Sequence, residues 1–144
     1  MIGIKVKKID DSVDLPAYET SSSAGMDIRA FLPSGNVYIA PQQIKPIGTG
    51  LMFEIPDGLE VQIRPRSGLA LKNSITVLNS PGTIDADYRG EIKVILINHG
   101  SKVFEVTNKM RIAQMVVSKY EKVNFKLVSD LNATKRGSGG FGST

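Results

Sequence analysis

Along most of the chain hydrophobic and polar residues alternate with a period of two, the period of a strand with one face buried. In "GLEVQIRP" (58–65) Leu59, Val61 and Ile63 alternate with Glu60, Gln62 and Arg64, and in "EIKVILIN" (91–98) Ile92, Val94 and Leu96 fall on one face. Short segments of the same kind occur at "IGIKVKKI", "MDIRAFL", "NVYIAP", "LMFEIP", "SITVLN", "KVFEV", "IAQMVVSKY" and "VNFKLV", separated by Gly, Pro, Asn and Asp. That spacing predicts an all-β, jelly-roll-like barrel or sandwich. The only stretch that predicts helix is "SGLALKN" (67–73), one or two turns with Ser67 placed to cap it. No repeat or linker interrupts residues 1–135, which are expected to form one domain.

The last nine residues, "RGSGGFGST" (136–144), carry four glycines, one aromatic ring and no strand pattern. A segment of this kind cannot bury itself and is expected to be a mobile tail. Composition alone reads it as disordered and without a role. Against that reading, Arg136, Phe141, Ser143 and Thr144 stand among N–H groups freed by glycine, a set that suits a nucleotide, with backbone for phosphate and a ring for the base.

Composition narrows the choices. A chain of 144 residues is long enough for one domain with an ordinary core. No apolar run approaches the roughly 18 residues of a membrane span, and "MIGIKVKKIDD" lacks the apolar core of a signal peptide, so a cytoplasmic protein without membrane contact is expected. With no cysteine and one histidine, His99, disulfides, thiolate sites and multi-histidine metal centres are excluded. Any metal must be held by oxygen. The net charge of +4 is spread along the chain, and no strand face interleaves lysines with aromatic residues, so nucleic acid is not the expected partner. A polyanionic small ligand explains the charge equally well.

Three stretches carry more chemistry than a fold requires. In "RPRSGLALKN" Arg66 offers a planar fork for phosphate, Ser67 a hydroxyl and Gly68 a close backbone approach; the plainer reading is a polar strand end and a cap, and no Walker spacing is present. In "SAGMDI" Asp27 follows a tight glycine turn, either as a turn acid or as a group on the water shell of Mg²⁺. In "PGTIDADYRGE" (81–91) three carboxylates, a tyrosine and an arginine fill what its neighbours predict to be a sheet hairpin. Asp85 and Asp87, two apart, share a face if extended, which suits either paired-carboxylate hydrolysis or a solvated hairpin tip. Just upstream, the Asn79 amide presents a donor and an acceptor that can match a pyrimidine edge.

Taken in order, "AGMDI", "PRSGLA", "NSPGTIDADYRGE", "RIAQM" and "RGSGGFGST" resemble the five motifs of the trimeric deoxyuridine triphosphatase family, over about Lys5 to Thr144. The resemblance implies a jelly-roll homotrimer that hydrolyses dUTP to dUMP and pyrophosphate with Mg²⁺, at sites assembled from several subunits. Such an activity supplies dUMP for thymidylate synthesis and keeps uracil out of DNA. It implies Asp85 as general base for the water that attacks the α-phosphorus. Asn79 and the backbone around Thr83 and Ile84 would read uracil, Tyr88 would lie under the deoxyribose, and Lys93 would border the base pocket. Arg66, Ser67, Gly68 and Gln114 would hold phosphates, and Asp27 would act on the metal through water. From the tail, Phe141 would stack on uracil while Arg136, Gly142, Ser143 and Thr144 close on the phosphates. Two other readings share the fold: a dUTP-binding regulatory protein, against which the intact Asp85 argues, and a dCTP deaminase relative, which the 81–91 segment resembles poorly.

The chain departs from the family pattern at one place. Members carry a glycine and an acidic residue directly before "RIAQ", where this chain has Lys109 and Met110 after Asn108. Asn108 tolerates the left-handed conformation, so the turn is expected one residue earlier.

Overall fold

The computed structural model describes residues 2–142. Eleven strands and one short helix follow in the order β1 (Lys5–Lys8), β2 (Gly25–Arg29), β3 (Val37–Ile39), β4 (Ile44–Gly48), β5 (Leu51–Glu54), β6 (Leu59–Arg64), α1 (Ser67–Asn73), β7 (Ile75–Val77), β8 (Gly82–Ile84), β9 (Lys93–Asn98), β10 (Phe104–Val106) and β11 (Arg111–Lys119). They form a four-stranded sheet, β2-β11-β6-β8, a three-stranded sheet, β4-β9-β7, and the two-stranded ladders β1-β5 and β10-β3, all antiparallel. Among the described residues these sheets do not close on themselves, so the sandwich form of the sequence expectation holds and the barrel form does not.

Alternation decides which side chains meet. Val61, Ile63, Ile28, Ala113 and Met115 from the four-stranded sheet join Ile47, Val94, Leu96, Ile75 and Val77 from the three-stranded sheet in one buried cluster. Among the described residues, the one large polar side chain sealed within the core is Asn98, whose Nδ2 donates to the carbonyls of Ile39 and Lys102, each at 2.8 Å, while its Oδ1 accepts from Gly100 N. With all three partners met, its burial carries no unpaired-group penalty.

Several local expectations are corrected. "VNFKLV" forms no strand. Val123, Phe125 and Leu127 do alternate, but they are exposed, so the pattern has nothing within this chain to bury against. β4 was not foreseen, because Pro46 sits at its centre; β4 is an edge strand, where a missing N–H does no harm. The helix is capped at Arg66 without a side-chain bond, and Ser67 is its first helical residue. Segment 81–91 is not a paired hairpin: β8 pairs with β6 and β9 with β4 and β7, so the segment crosses from one sheet to the other. At the departure from the family pattern, Lys109 itself takes the left-handed conformation (φ 64°), at the place of the family's glycine. Asn108 contributes through its side chain instead, accepting from Leu32 N at 2.8 Å.

Candidate active site

The expected site residues gather into two groups at opposite ends of the four-stranded sheet. The first lies where β2, β11 and β6 approach α1. Arg66 Nε donates to Asp27 Oδ1 at 2.7 Å, and Arg111 donates to Asp27 Oδ2 at 3.1 Å. One carboxylate thus orients two guanidiniums and leaves the trio with a surplus positive charge. The Asp27 and Arg66 side chains are only 17% and 24% exposed, so salt screens their attraction less than that of a surface pair. Gln114 faces Asp27 in the β2–β11 register, donates to the Pro65 carbonyl at 2.9 Å, and rests its Oε1 where a methyl on Gly25 would stand, 2.5 Å away. Ser67 and Gly68 are exposed beside them. A methyl on Gly68 would meet nothing within 4 Å, so this chain's own packing does not demand glycine there.

Arg111 was given no role by the sequence reading. It reaches Asp27 because the β2–β11 register shifts between Arg111 and Ala113. Without that bulge, Arg111 and Gln114, three apart, would point to opposite faces. In "RIAQM" Ile112 and Ala113 are apolar neighbours, and both are buried.

The second group lines a cleft of about 330 Å³ beside β8. Thr83, Ile84, Asp85, Tyr88 and Lys93 all contribute, with Pro46, Glu91 and Ile95 as members not foreseen. The Asp85 carboxylate is exposed and has no ion-pair partner among the described residues. Its carbonyl accepts from Tyr88 N at 3.2 Å, and Arg89 fastens the turn by donating to the carbonyls of Ala86 (2.7 Å) and Tyr88 (3.1 Å). Asp87 and Asp85 both face a neighbouring open hollow with Asp57 and Lys122. Asn79 does not line the cleft; it is exposed at the other end of β8, against Gly82. Because β8 is the sheet's edge, paired only with β6, alternate backbone N–H and C=O groups of Gly82–Ile84 face outward without a ladder partner.

Within one chain the two groups do not meet. Gln114 pairs with Arg64 and Ile84 with Val61, register positions separated by three residues of β6, about 10 Å at the usual strand rise. Arg66 and Asp85 continue outward from those positions in opposite directions, and Arg66 is turned across β11 toward Asp27. The tail residues join neither group. From Lys122 to Gly142 there is no strand or helix; Arg136 donates to Gly139 O at 2.8 Å within a tight turn, Phe141 is fully exposed, and Gly142 has φ 85°. Ser143 and Thr144 lie outside the described residues.

The sequence profile of the dUTPase family matches residues 11–144. The chain belongs to the dUTPase family. It is 59% identical over 135 residues to the deoxyuridine 5'-triphosphate nucleotidohydrolase of Roseobacter denitrificans, covering 94% of this chain and 89% of that one. The enzyme of the same name from Nautilia profundicola is 53% identical over 141 residues, 98% and 97% of the two chains. Among solved structures, the Staphylococcus bacteriophage 80alpha dUTPase with dUpNHpp superposes with a TM-score of 0.89 at 23% identity, covering 100% of this chain and 99% of the other. A phage phi11 dUTPase, in which a structural Mg(II) ion is coordinated, gives 0.80 at 19% identity, covering 90% and 98%. At those identities the two phage structures establish the dUTPase fold for this chain. All five stretches singled out in its sequence fall within the matched span, the last ending with it at Thr144.

Proposed function

We propose that this chain hydrolyses dUTP to dUMP and pyrophosphate, at sites that join the β8 cleft of one copy to the arginine group of another in a homotrimer. The observation that carries the shared site is the separation just described: the base and the phosphate-holding cations stand at opposite ends of one sheet. In the reaction Asp85 accepts a proton from the water whose oxygen bonds to the α-phosphorus, and the bond to the bridging oxygen of the β-phosphate breaks. Pyrophosphate leaves with that electron pair. Arg66 and Arg111, pre-aimed by Asp27, meet the charge gathering on the departing oxygens, and Gln114 and Ser67 add hydrogen bonds. The open space over Gly68 suits close approach of a phosphate oxygen to backbone.

For the base, the outward edge of β8 around Thr83 and Ile84 offers main-chain donors and acceptors in a row, which match the carbonyl and N–H groups of uracil and mismatch the reversed pattern of cytosine. Asn79 is near enough to this strand to add its amide. Tyr88 forms the floor for deoxyribose, with Lys93 at the rim of the base pocket. The folded body ends with β11 at Lys119, short of the expected boundary at 135, and 136–144 serve as a closing segment, in which Phe141 covers the uracil and Arg136, Gly142, Ser143 and Thr144 close on the phosphates. A dUTPase of this kind supplies dUMP for thymidylate synthesis and keeps uracil out of DNA in the cytoplasm; among the described residues no helix is long and apolar enough to cross a membrane.

The donor set bears on Mg²⁺. Among the described residues no three of His, Cys, Asp and Glu cluster for a metal, and both Asp27 oxygens are engaged by guanidinium. A cage made by the protein alone does not fit, whereas Mg²⁺ ligated by the triphosphate and its own waters does, with Asp27 touching it through water. When bound, the ion supplies charge neutralisation on the phosphates.

The test is product analysis with dUTP, dCTP, dTTP and UTP, each with Mg²⁺. Pyrophosphate and dUMP from dUTP alone are expected. Ammonia from dCTP, or binding of dUTP without turnover, would replace this reading by the deaminase or the regulatory one.

A further inference from the structure

We propose that Glu91 is a positioning residue that sets the Tyr88 ring, and through it the choice between deoxyribose and ribose. The inference rests on the reading that Tyr88 lies beneath the sugar. The ring does not stand free at the end of its turn. It folds back over Gly90, where a methyl would sit 2.6 Å from Tyr88 Cζ, and its hydroxyl donates to the Glu91 carbonyl at 3.1 Å. The ring is therefore hooked to the backbone of residue 91, and its height above the cleft is as firm as that residue.

Glu91 is fastened by its side chain to a different part of the fold. Its Oε1 accepts from Gly50 N at 3.0 Å in the turn between β4 and β5, and lies so close to Gly48 that a methyl there would stand 2.8 Å from it. Two further bonds bracket the next residue: Ile92 N donates to Leu51 O at 2.8 Å, and the buried Thr49 hydroxyl donates to Ile92 O at 2.7 Å. The turn is itself held, since Gly50 has φ 69° and a methyl on it would meet Val13 Cγ2 at 2.6 Å. The path thus runs from a packed turn through one carboxylate to the ring. The Glu91 carbonyl shares one peptide plane with Ile92 N–H, so the Ile92 bond to Leu51 holds that plane from one side and the Glu91 carboxylate holds the Cα of residue 91 on the other. Removing the carboxylate takes away one of the two holds on the peptide whose carbonyl receives the tyrosine, while leaving Asp85 and the arginine group intact. A ring free to drop makes room for a 2'-hydroxyl.

The experiment compares wild type, Glu91→Ala, Glu91→Gln and Gly90→Ala as full-length chains, reading kcat and KM for dUTP and UTP together with hydrogen exchange at the Gly50 amide. Glu91→Ala is expected to expose that amide to exchange and to raise UTP use relative to dUTP by about tenfold, mainly through a lower KM for UTP. Glu91→Gln retains an acceptor for Gly50 N–H and is expected to stay near wild type. Gly90→Ala displaces the ring directly, so discrimination falls while the Gly50 amide stays protected; this variant carries the test if Glu91→Ala does not fold. An unchanged UTP-to-dUTP ratio in folded Glu91→Ala, or a Glu91→Gln variant as relaxed as the alanine, overturns the proposal. If wild type turns over no dUTP, the proposed activity fails, and loss of Gly50 protection together with altered Tyr88 ring resonances in Glu91→Ala still decides the positioning.

Discussion

The two ends of the four-stranded sheet solve opposite problems. At the α1 end, Asp27 holds Arg66 and Arg111 in fixed directions, so cations that would otherwise repel one another share an internal counter-ion. At the β8 end, Asp85 stands in solvent with no counter-ion among the described residues, and only backbone and Arg89 contacts shape its turn. One end is organised in advance and the other is left open. A general base needs access to water, whereas phosphate-binding cations gain from being aimed before the substrate arrives. About 10 Å of strand separates their register positions, and the proposed shared site would complete each end with another copy.

Breaking the open end should have the largest effect. Asp85→Asn keeps the shape and removes the base, so kcat for dUTP is expected to fall by on the order of 10³ with dUTP affinity retained, measured by steady-state kinetics and calorimetry. Turnover at the wild-type rate would remove Asp85 from the mechanism. Ending the chain at Lys135 should lower activity by on the order of 10² while melting temperature and oligomer size stay unchanged; a truncated chain that unfolds would make the tail a structural element. The prearranged end should respond less: Asp27→Asn leaves two guanidiniums with a neutral partner, and kcat/KM is expected to drop roughly tenfold to a hundredfold, the loss of one charge-assisted bond.

The contrast itself is sharpened by mixing chains. Asp85→Asn and Arg66→Ala subunits, each inactive alone, should regain about a quarter of wild-type activity when co-refolded at equal amounts, because that share of shared sites draws both residues from intact sources. No recovery in mixed trimers would mean that each chain supplies both residues to its own site. The smallest effect is expected at the β2–β11 turn. Lys109→Gly relieves a left-handed backbone but loosens the unfolded chain, for a net gain of about 1 kcal/mol or less in denaturant unfolding.

What was legible in the sequence follows from what a period of two can encode. Val61, Ile63, Val94 and Leu96 are buried as the alternation requires, and Asp27, Arg66 and Gln114, singled out by side-chain type, stand together in the structure. Pairing partners are not encoded in that way, so 81–91 looked like a hairpin although its two flanking strands belong to different sheets. Val123, Phe125 and Leu127 show the reverse failure, a strand pattern that finds no burying surface among the described residues. Arg111 escaped notice because its reach depends on a bulge, which adjacent apolar residues do not mark: Met115, Val116 and Val117 are also adjacent, yet the register there is regular. Lys109 adopts a conformation its type disfavours because the bonds Lys109 N to Ala30 O and Ala30 N to Met110 O, both 2.8 Å, fix the backbone around it.

The open rim of β8 has a consequence for solubility. An exposed strand edge invites foreign strands and aggregation. Elsewhere the sheets guard against this: β4 carries Pro46 on its run, and β1 presents Lys5, Lys7 and Lys8. β8 carries neither proline nor lysine, but it is three residues long. That length offers about as many hydrogen bonds as the pairing edge of one nucleobase, and too few to hold a growing fibril.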